Sequence, residues 1–454
     1  MLFIIESIVS ITNFLWEGPL LVLIILVGLY YATKIYHNFF YCIKKTFKTK
    51  ANRTSNLGEI PLLNCLLTAI SGTIGSGNIV GVAVAISVGG PGSLFWIWIV
   101  SIICMIVKMI EVAMAVKYRT IDISGKYWGG PMYYINKGIK GKIGVILGKT
   151  YAIFLIILVI TDACFVQVNT FATTLQNVFG FPAIISGIIW ACFGIIVLKM
   201  GSSKRITNFC KLFAPFMCAI YIIGTVIIII YNHEYFPNVI KEIFYYAFNP
   251  TPIIGGFAGA TIMMTISKGF SRGIFSNEAG QGTSTTIYAK SIVEHPIEAG
   301  LYSIIEVITD CFICTVTGFS VLITSSWKYG LDGIALNLKA FHSLFGIWGE
   351  FFVCIIVCFF TFSSYISFFI EYCTSLKYLF STKIAERMSW FYFVPPFLSV
   401  TLSVNIIWTL ADMAVGFIIL PNMVALILLN KEFSRLWKSY VDNMKMLSKN
   451  TMLN

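Results

Sequence analysis

A chain of 454 residues that is 57% hydrophobic and only 11% charged, with a mean hydropathy of +0.84, has too little polar surface for water. Soluble domains carry about 25% charged residues, so the composition excludes an ordinary soluble fold and predicts one polytopic domain in a lipid bilayer. The net charge of +12 sits in short loops between apolar runs, where it reports topology and argues against nucleic acid as a partner.

A helix crossing the hydrocarbon core needs about 20 apolar residues, and on that criterion about eleven runs are predicted. They cover residues 14–35, 60–88, 94–116, 151–171, 182–198, 209–231, 253–270, 300–325, 351–370, 391–408 and 413–429. No stretch alternates with the period of a strand, so the fold class is all-α. Cys311 and Cys314 form a C-x-x-C inside one run with no histidine nearby, which reads as packing.

Lysine and arginine set the orientation. Lys44, Lys45, Lys48, Lys50 and Arg53 follow the first run, and Lys117, Arg119, Lys126, Lys137, Lys140 and Lys142 follow the third. Lys377, Lys383 and Arg387 follow the ninth, and Lys431, Arg435 and Lys438 begin the tail. Residues 89–93 and 174–181 carry none. The positive-inside rule then places the N-terminus outside and the C-terminus in the cytoplasm of a cell membrane.

Two runs are interrupted. The second holds Ser71-Gly72-Thr73-Ile74-Gly75-Ser76-Gly77-Asn78, and the seventh ends in a polar, glycine-rich segment at residues 269–282. Glycine is costly within a helix, and broken helices at membrane depth are tolerated where the freed backbone lines a site. With the first run set aside, the two interruptions open two groups of five spans. Being odd in number, the groups have opposite topology, the pattern of an inverted repeat. The expected division is an extra span at 1–40, a basic cytoplasmic loop at 41–59, repeats at 60–231 and 253–430, and a cytoplasmic tail at 431–454.

Half-helix N-termini offer free N–H groups to a carboxylate, while half-helix C-termini and unwound carbonyls suit Na⁺ or an ammonium. Thr73, Ser76, Asn78, Ser276 and Asn277 add side-chain oxygens. Two further polar positions lie in the third span of each group: Gln167, with Asn169 near it, and Ser363-Ser364, with Phe368 one turn on. Back-bonding to their own helix is the plainer reading of the two serines. Among intramembrane charges, Lys108 and Glu111 are spaced to pair with each other. Glu306, Asp310 and Asp162 could hold a cation or relay a proton.

The segment from Gly72 to Ala83, then Gly89-Gly90-Pro91-Gly92, Lys108 with Glu111, Lys117-Tyr118-Arg119 and Gly129-Gly130-Pro131-Met132-Tyr133-Tyr134, resembles the prokaryotic alanine or glycine:cation symporter family. Arg272-Gly273-Ile274-Phe275-Ser276-Asn277-Glu278-Ala279-Gly280, Leu410-Ala411-Asp412 and Leu420-Pro421-Asn422 carry the likeness onward, so that it spans residues 60–431. The resemblance implies a five-plus-five inverted repeat like that of the bacterial leucine transporter, in a prokaryotic inner membrane. It implies that Thr73, Gly75, Ser76, Gly77, Gln167 and the segment Gly273, Ile274, Phe275, Ser276 contact substrate. The same resemblance implies a Na⁺ site from the carbonyls of Ser71 and Ile74 with Ser363 and Ser364, and a weaker second cation site at Asn78. Ser364 stands where the family has threonine, Phe368 where it has tryptophan, and Cys164 where it has asparagine; these departures bear on which substrate Ser364 and Phe368 would admit. The expected function is Na⁺-coupled import of a small neutral amino acid, with a proton-coupled version as the alternative. The chain has no phosphate loop and its four histidines are scattered, so an enzyme is not expected.

Overall fold

The computed structural model describes residues 2–48, 58–123, 125–199 and 203–450. Lys50 and Arg53 of the expected basic loop lie outside the described residues. The chain is mostly helical. Its first helices are α1 (Leu2–Glu17), α2 (Pro19–Ile35), α3 (Phe39–Lys48), α4 (Leu62–Thr73), α5 (Val82–Gly89), α6 (Ser93–Lys117) and α7 (Pro131–Gly138). Then come α8 (Lys142–Val159), α9 (Val168–Phe179), α10 (Ala183–Lys199), α11 (Ser203–Tyr231), α12 (Phe236–Tyr246), α13 (Ile262–Asn277) and α14 (Thr285–Tyr288). The remainder are α15 (Pro296–Ile323), α16 (Ile334–Phe345), α17 (Ile347–Leu379), α18 (Thr382–Met388), α19 (Pro395–Ser399), α20 (Val404–Leu428) and α21 (Asn430–Asn450).

Among the described residues six helical segments are long and apolar enough to cross a bilayer, or eight when each of two bent pairs counts as one span. One bent pair is α4 with residues 77–89, at 52°. Three of the predicted runs fall short of this test. Helix α10 is 17 residues long. Residues 253–261 are apolar but not helical, because Gly255 and Gly259 take φ of +59° and +87°; the helix starts only at α13, where the Thr261 hydroxyl accepts from Met264 N–H at 3.2 Å. The run at 391–408 straddles a turn. Ser399 and Thr401 donate to the carbonyls of Pro396 and Leu398 just upstream, each at 2.8 Å, which ends α19 before α20 begins. Hydropathy averages across such a turn and does not see it.

The interior forms where α6 packs along α15 and α13, and where α17 crosses α4, α8 and α9. On α6 the face carrying Val100, Cys104, Val107, Lys108 and Glu111 is buried while Ile102 is exposed, the arrangement expected of a helix between protein and lipid. Strand β1 (Ile60–Pro61), which leads into α4, pairs in parallel with β4 (Ser291–Ile292), which follows α14. A short hairpin, β2 (Thr120–Ile121) and β3 (Tyr127–Trp128), lies between α6 and α7. Arg119, between α6 and β2, donates to the carbonyls of Ala289 and Ser291 at 3.1 and 2.7 Å. The entry to one broken helix is thereby clasped to the exit from the other, which fixes their relative position.

Candidate functional site

Helix α4 stops at Thr73 because Ile74 turns extended, with ψ of 99°. A π-helical turn over Gly77–Gly81 then leads into α5. This opens the backbone at residues 74–76. Gly75 N–H donates to Asn78 Oδ1 and Ser76 N–H to Gln167 Oε1, both at 3.1 Å. On the other side of the break, Ser364 Oγ of α17 donates to the Gly72 carbonyl at 2.7 Å and reaches the Ile74 carbonyl at 3.3 Å. A methyl group on Gly75 would stand 2.4 Å from Ser364 Oγ and 3.1 Å from Gln167 Oε1. Gly75, Gln167 and Ser364, predicted from three separate runs, therefore meet at one point. The hydroxyls of Ser71 and Ser76 are buried there without a hydrogen-bond partner. Polar groups in that state are rare in a folded interior, and water or a polar ligand can satisfy them.

The second break lies later than the glycine pattern implies. Residues 269–277 stay helical in α13, and the chain unwinds at Glu278, whose φ is +57°. Ala279 N–H turns to Asn277 Oδ1 at 2.9 Å, so the Phe275 carbonyl is not taken by the residue four ahead. Gln281 Nε2 bonds the Ile274 carbonyl at 2.8 Å. Phe275 and Ser276 face the first break: a methyl on Gly77 would lie 3.3 Å from Phe275 Cδ1 and 3.4 Å from Ser276 Cα. Gly273 points elsewhere, against Val100 of α6.

Two carboxylates on α15, one turn apart, tie the breaks together. Glu306 Oε1 accepts from Thr73 Oγ1 at 2.7 Å and pairs with Lys108 Nζ at 2.8 Å, while Lys108 also donates to the Asn277 carbonyl at 3.1 Å. Tyr288 OH donates to Glu306 Oε2 at 3.0 Å. Asp310 Oδ1 accepts from Asn78 Nδ2 and from Ser276 Oγ, each at 2.6 Å. Sequence spacing pairs Lys108 with Glu111; in the fold Lys108 reaches Glu306 instead, and Glu111 accepts from Asn422 Nδ2. Asp162 lies in a π-helical segment, Ile160–Gln167, and takes Gln167 Nε2 at 2.7 Å.

Ser363 Oγ bonds the Phe360 carbonyl of its own helix at 2.9 Å, the back-bonded reading. Asn78 turns its amide to Gly75 and Asp310. Asn169 and Cys164 face the 399 turn and the Tyr392 carbonyl. Phe368 is buried on α17 one turn from Ser364. Tyr151, which carries no signal in the sequence, holds the second break by donating to the Gln281 carbonyl at 2.6 Å, and Asn422, of the Leu420-Pro421-Asn422 motif, donates to the Gly280 carbonyl at 2.8 Å. Towards the opposite end from the β1–β4 clasp, Arg272 makes a two-pronged pair with Asp412 at 2.9 and 2.7 Å, beside a cavity of about 180 Å³.

Two broken helices facing each other across buried hydroxyls, an amide and free carbonyls suit a small zwitterion and a monovalent cation. The chain is 32% identical to the sodium/alanine symporter AgcS of Methanococcus maripaludis over 433 residues, covering 93% of this chain and 94% of that one. It is 30% identical over 454 residues to the probable sodium/glutamine symporter GlnT of Bacillus subtilis, covering 97% of this chain and 92% of the relative. Its fold is similar to that of MhsT, solved in complex with L-phenylalanine, with a TM-score of 0.54 at 13% identity over 86% of this chain and 96% of that one. This is a polytopic helical transporter fold of the leucine-transporter type. Residues 1–453 match the model of the sodium:alanine symporter family, and the chain belongs to that family.

Proposed function

We propose that this protein imports a small neutral amino acid, such as alanine or glycine, together with Na⁺ by alternating access, with its C-terminus in the cytoplasm. The observation that carries the reading is the meeting of Gly75, Gln167 and Ser364 at the first break, opposite the open end of α13. The N–H groups at Gly75, Ser76 and Gly77 receive the substrate carboxylate, which displaces Asn78 from Gly75 and Gln167 from Ser76. The Phe275 and Ser276 carbonyls at the end of α13 face the ammonium. Na⁺ binds at the carbonyls of Ser71 and Ile74 with the Ser364 hydroxyl, a set of neutral oxygens that suits a hard monovalent cation. A proton-coupled version through Glu306, Asp310 or Asp162 is less favoured, because each of these carboxylates is already engaged.

The test is uptake into proteoliposomes holding the purified protein, with glycine, alanine, serine and glutamine offered under an inward gradient of Na⁺ or of choline. Accumulation of at least one of them with Na⁺ and not with choline is expected. Equal uptake in choline, or no uptake of any, overturns the reading.

Two variants refine it. Ser364→Ala removes a hydroxyl bonded to the break carbonyls, and a hydrogen bond contributes about 0.5–1.5 kcal/mol. The Na⁺ concentration for half-maximal uptake should therefore rise by roughly three- to tenfold. Ser363→Ala, whose hydroxyl is spent on its own helix, should shift it less. A larger shift in Ser363→Ala would move the ligand role to that residue.

Phe368→Trp should narrow selectivity towards glycine and alanine, since a larger ring one turn from Ser364 takes room from the substrate side chain. Pockets discriminate by about 1–3 kcal/mol per methylene, so glutamine and serine should lose potency as competitors of labelled alanine. An unchanged order of competitors would make Phe368 a packing residue only.

A further inference from the structure

Helix α17 carries more than the Ser364 hydroxyl. At about 100° per residue, Glu371 and Ser375 lie within roughly 20° of Ser364 around the helix axis. Glu371 stands about 10 Å further along it, from a rise of about 1.5 Å per residue. Glu371 is 2% exposed. Its Oε2 is enclosed and has no hydrogen-bond partner, and neither has Ser375 Oγ one turn on. The charged groups acting on Glu371 are Glu278 at the second break, Lys108, Asp162 and Glu306, with Tyr151 and Tyr392 also near. Lys108 is the single cation among them, and it is committed to Glu306 and the Asn277 carbonyl. An ionised carboxylate enclosed this way, with the charges of three other carboxylates acting on it and an oxygen that no donor reaches, is far out of balance. The other three have partners: Glu306 has Lys108, Asp162 has Gln167, and Glu278 has Thr283.

We propose that Glu371 is a proton-binding site placed between the ion site at Ser364 and the cytoplasm. The closed bundle holds Glu371 as the neutral acid. When the cytoplasmic end opens, water reaches the carboxyl and the proton leaves to it; re-closure takes a proton back. The direction rests on the proposed orientation, in which α17 runs from outside to inside.

Infrared difference spectroscopy of the reconstituted protein tests this without transport. The wild type should show the C=O stretch of a protonated buried carboxyl, bleaching as pH rises, and Glu371→Gln should lack it. A band of undiminished intensity in Glu371→Gln overturns the proposal. Glutamine copies the shape and neutrality of the protonated acid, so Glu371→Gln should melt within a few degrees of the wild type; a collapse of its stability would mean that the closed form holds a carboxylate instead. In vesicles, wild-type uptake should fall with rising internal pH, approaching about tenfold per unit, the limit for one proton. Glu371→Gln should be flat, and Glu371→Asp should restore the slope. Superimposable profiles of wild type and Glu371→Gln overturn the proposal. Absence of Na⁺-driven uptake in the wild type would instead count against the symport reading, because the spectroscopic band does not depend on it.

Discussion

Gly75→Ala is expected to lower Na⁺-driven uptake by about 100-fold or more, the scale on which a misplacement of an ångström acts at a working centre. The added methyl would lie 2.4 Å from Ser364 Oγ, 3.2 Å from Ser364 Cβ and 3.1 Å from Gln167 Oε1. Rotating the Ser364 hydroxyl away relieves the closest clash, but it breaks the bonds to the Gly72 and Ile74 carbonyls and leaves Cβ in the way. Alanine also favours continuation of the helix by about 1 kcal/mol over glycine, so it works against the break itself. Gly77→Ala should be milder, since its methyl meets Phe275 Cδ1 at 3.3 Å and the ring edge can give; a loss of roughly tenfold fits one contact's worth of energy. Both proteins should still reach the membrane and elute as folded species. Wild-type uptake by Gly75→Ala would sink the idea that the substrate and its ion meet at this point.

The first break was legible because its chemistry is out of place. A run of Ser, Gly, Thr and Asn at 71–78 inside an apolar stretch has few uses other than an opened backbone. Gln167 and Ser364 stand out for the same reason, as polar groups in hydrocarbon. What the sequence hides is which of these groups meet over long separations. Lys108 has Glu111 three residues away, which spacing favours, yet its partner Glu306 comes from another helix, and only the packing of α15 along α6 brings the two together. Glu371 was missed for a simpler reason. The apolar run ends at Ile370, which would leave the next residue at the membrane surface, but α17 continues to Leu379 and keeps Glu371 inside. Tyr151 looks like any other polar side chain at a span end, and Asn422 stands out only within the Leu420-Pro421-Asn422 resemblance, which gives it no role. The carbonyls they hold, at Gln281 and Gly280, exist as acceptors only because the second helix breaks where it does.

Lys108→Met and Glu306→Gln should each destabilise the protein by about 3–5 kcal/mol, the cost of leaving one member of a buried ion pair alone. Both side chains are fully enclosed, at 0% exposure, so solvent screening does not soften the loss. Thermal melts in detergent should show either variant falling well below the wild type. Lys108→Met combined with Glu306→Leu removes both charges, and apolar replacement of a whole buried pair is often neutral, so most of the stability should return. Uptake should not return with it. Glu306 also accepts from Thr73 at the end of α4 and from Tyr288 after the second break, and Lys108 holds the Asn277 carbonyl at the end of α13. The pair is thus the joint through which two broken helices keep one relative position. A double variant that melts like the wild type and transports like it would show that the joint is packing and that the breaks are aligned by other contacts, the clasp between β1 and β4 first among them. A double variant that is stable but silent would assign the alignment to Lys108 and Glu306.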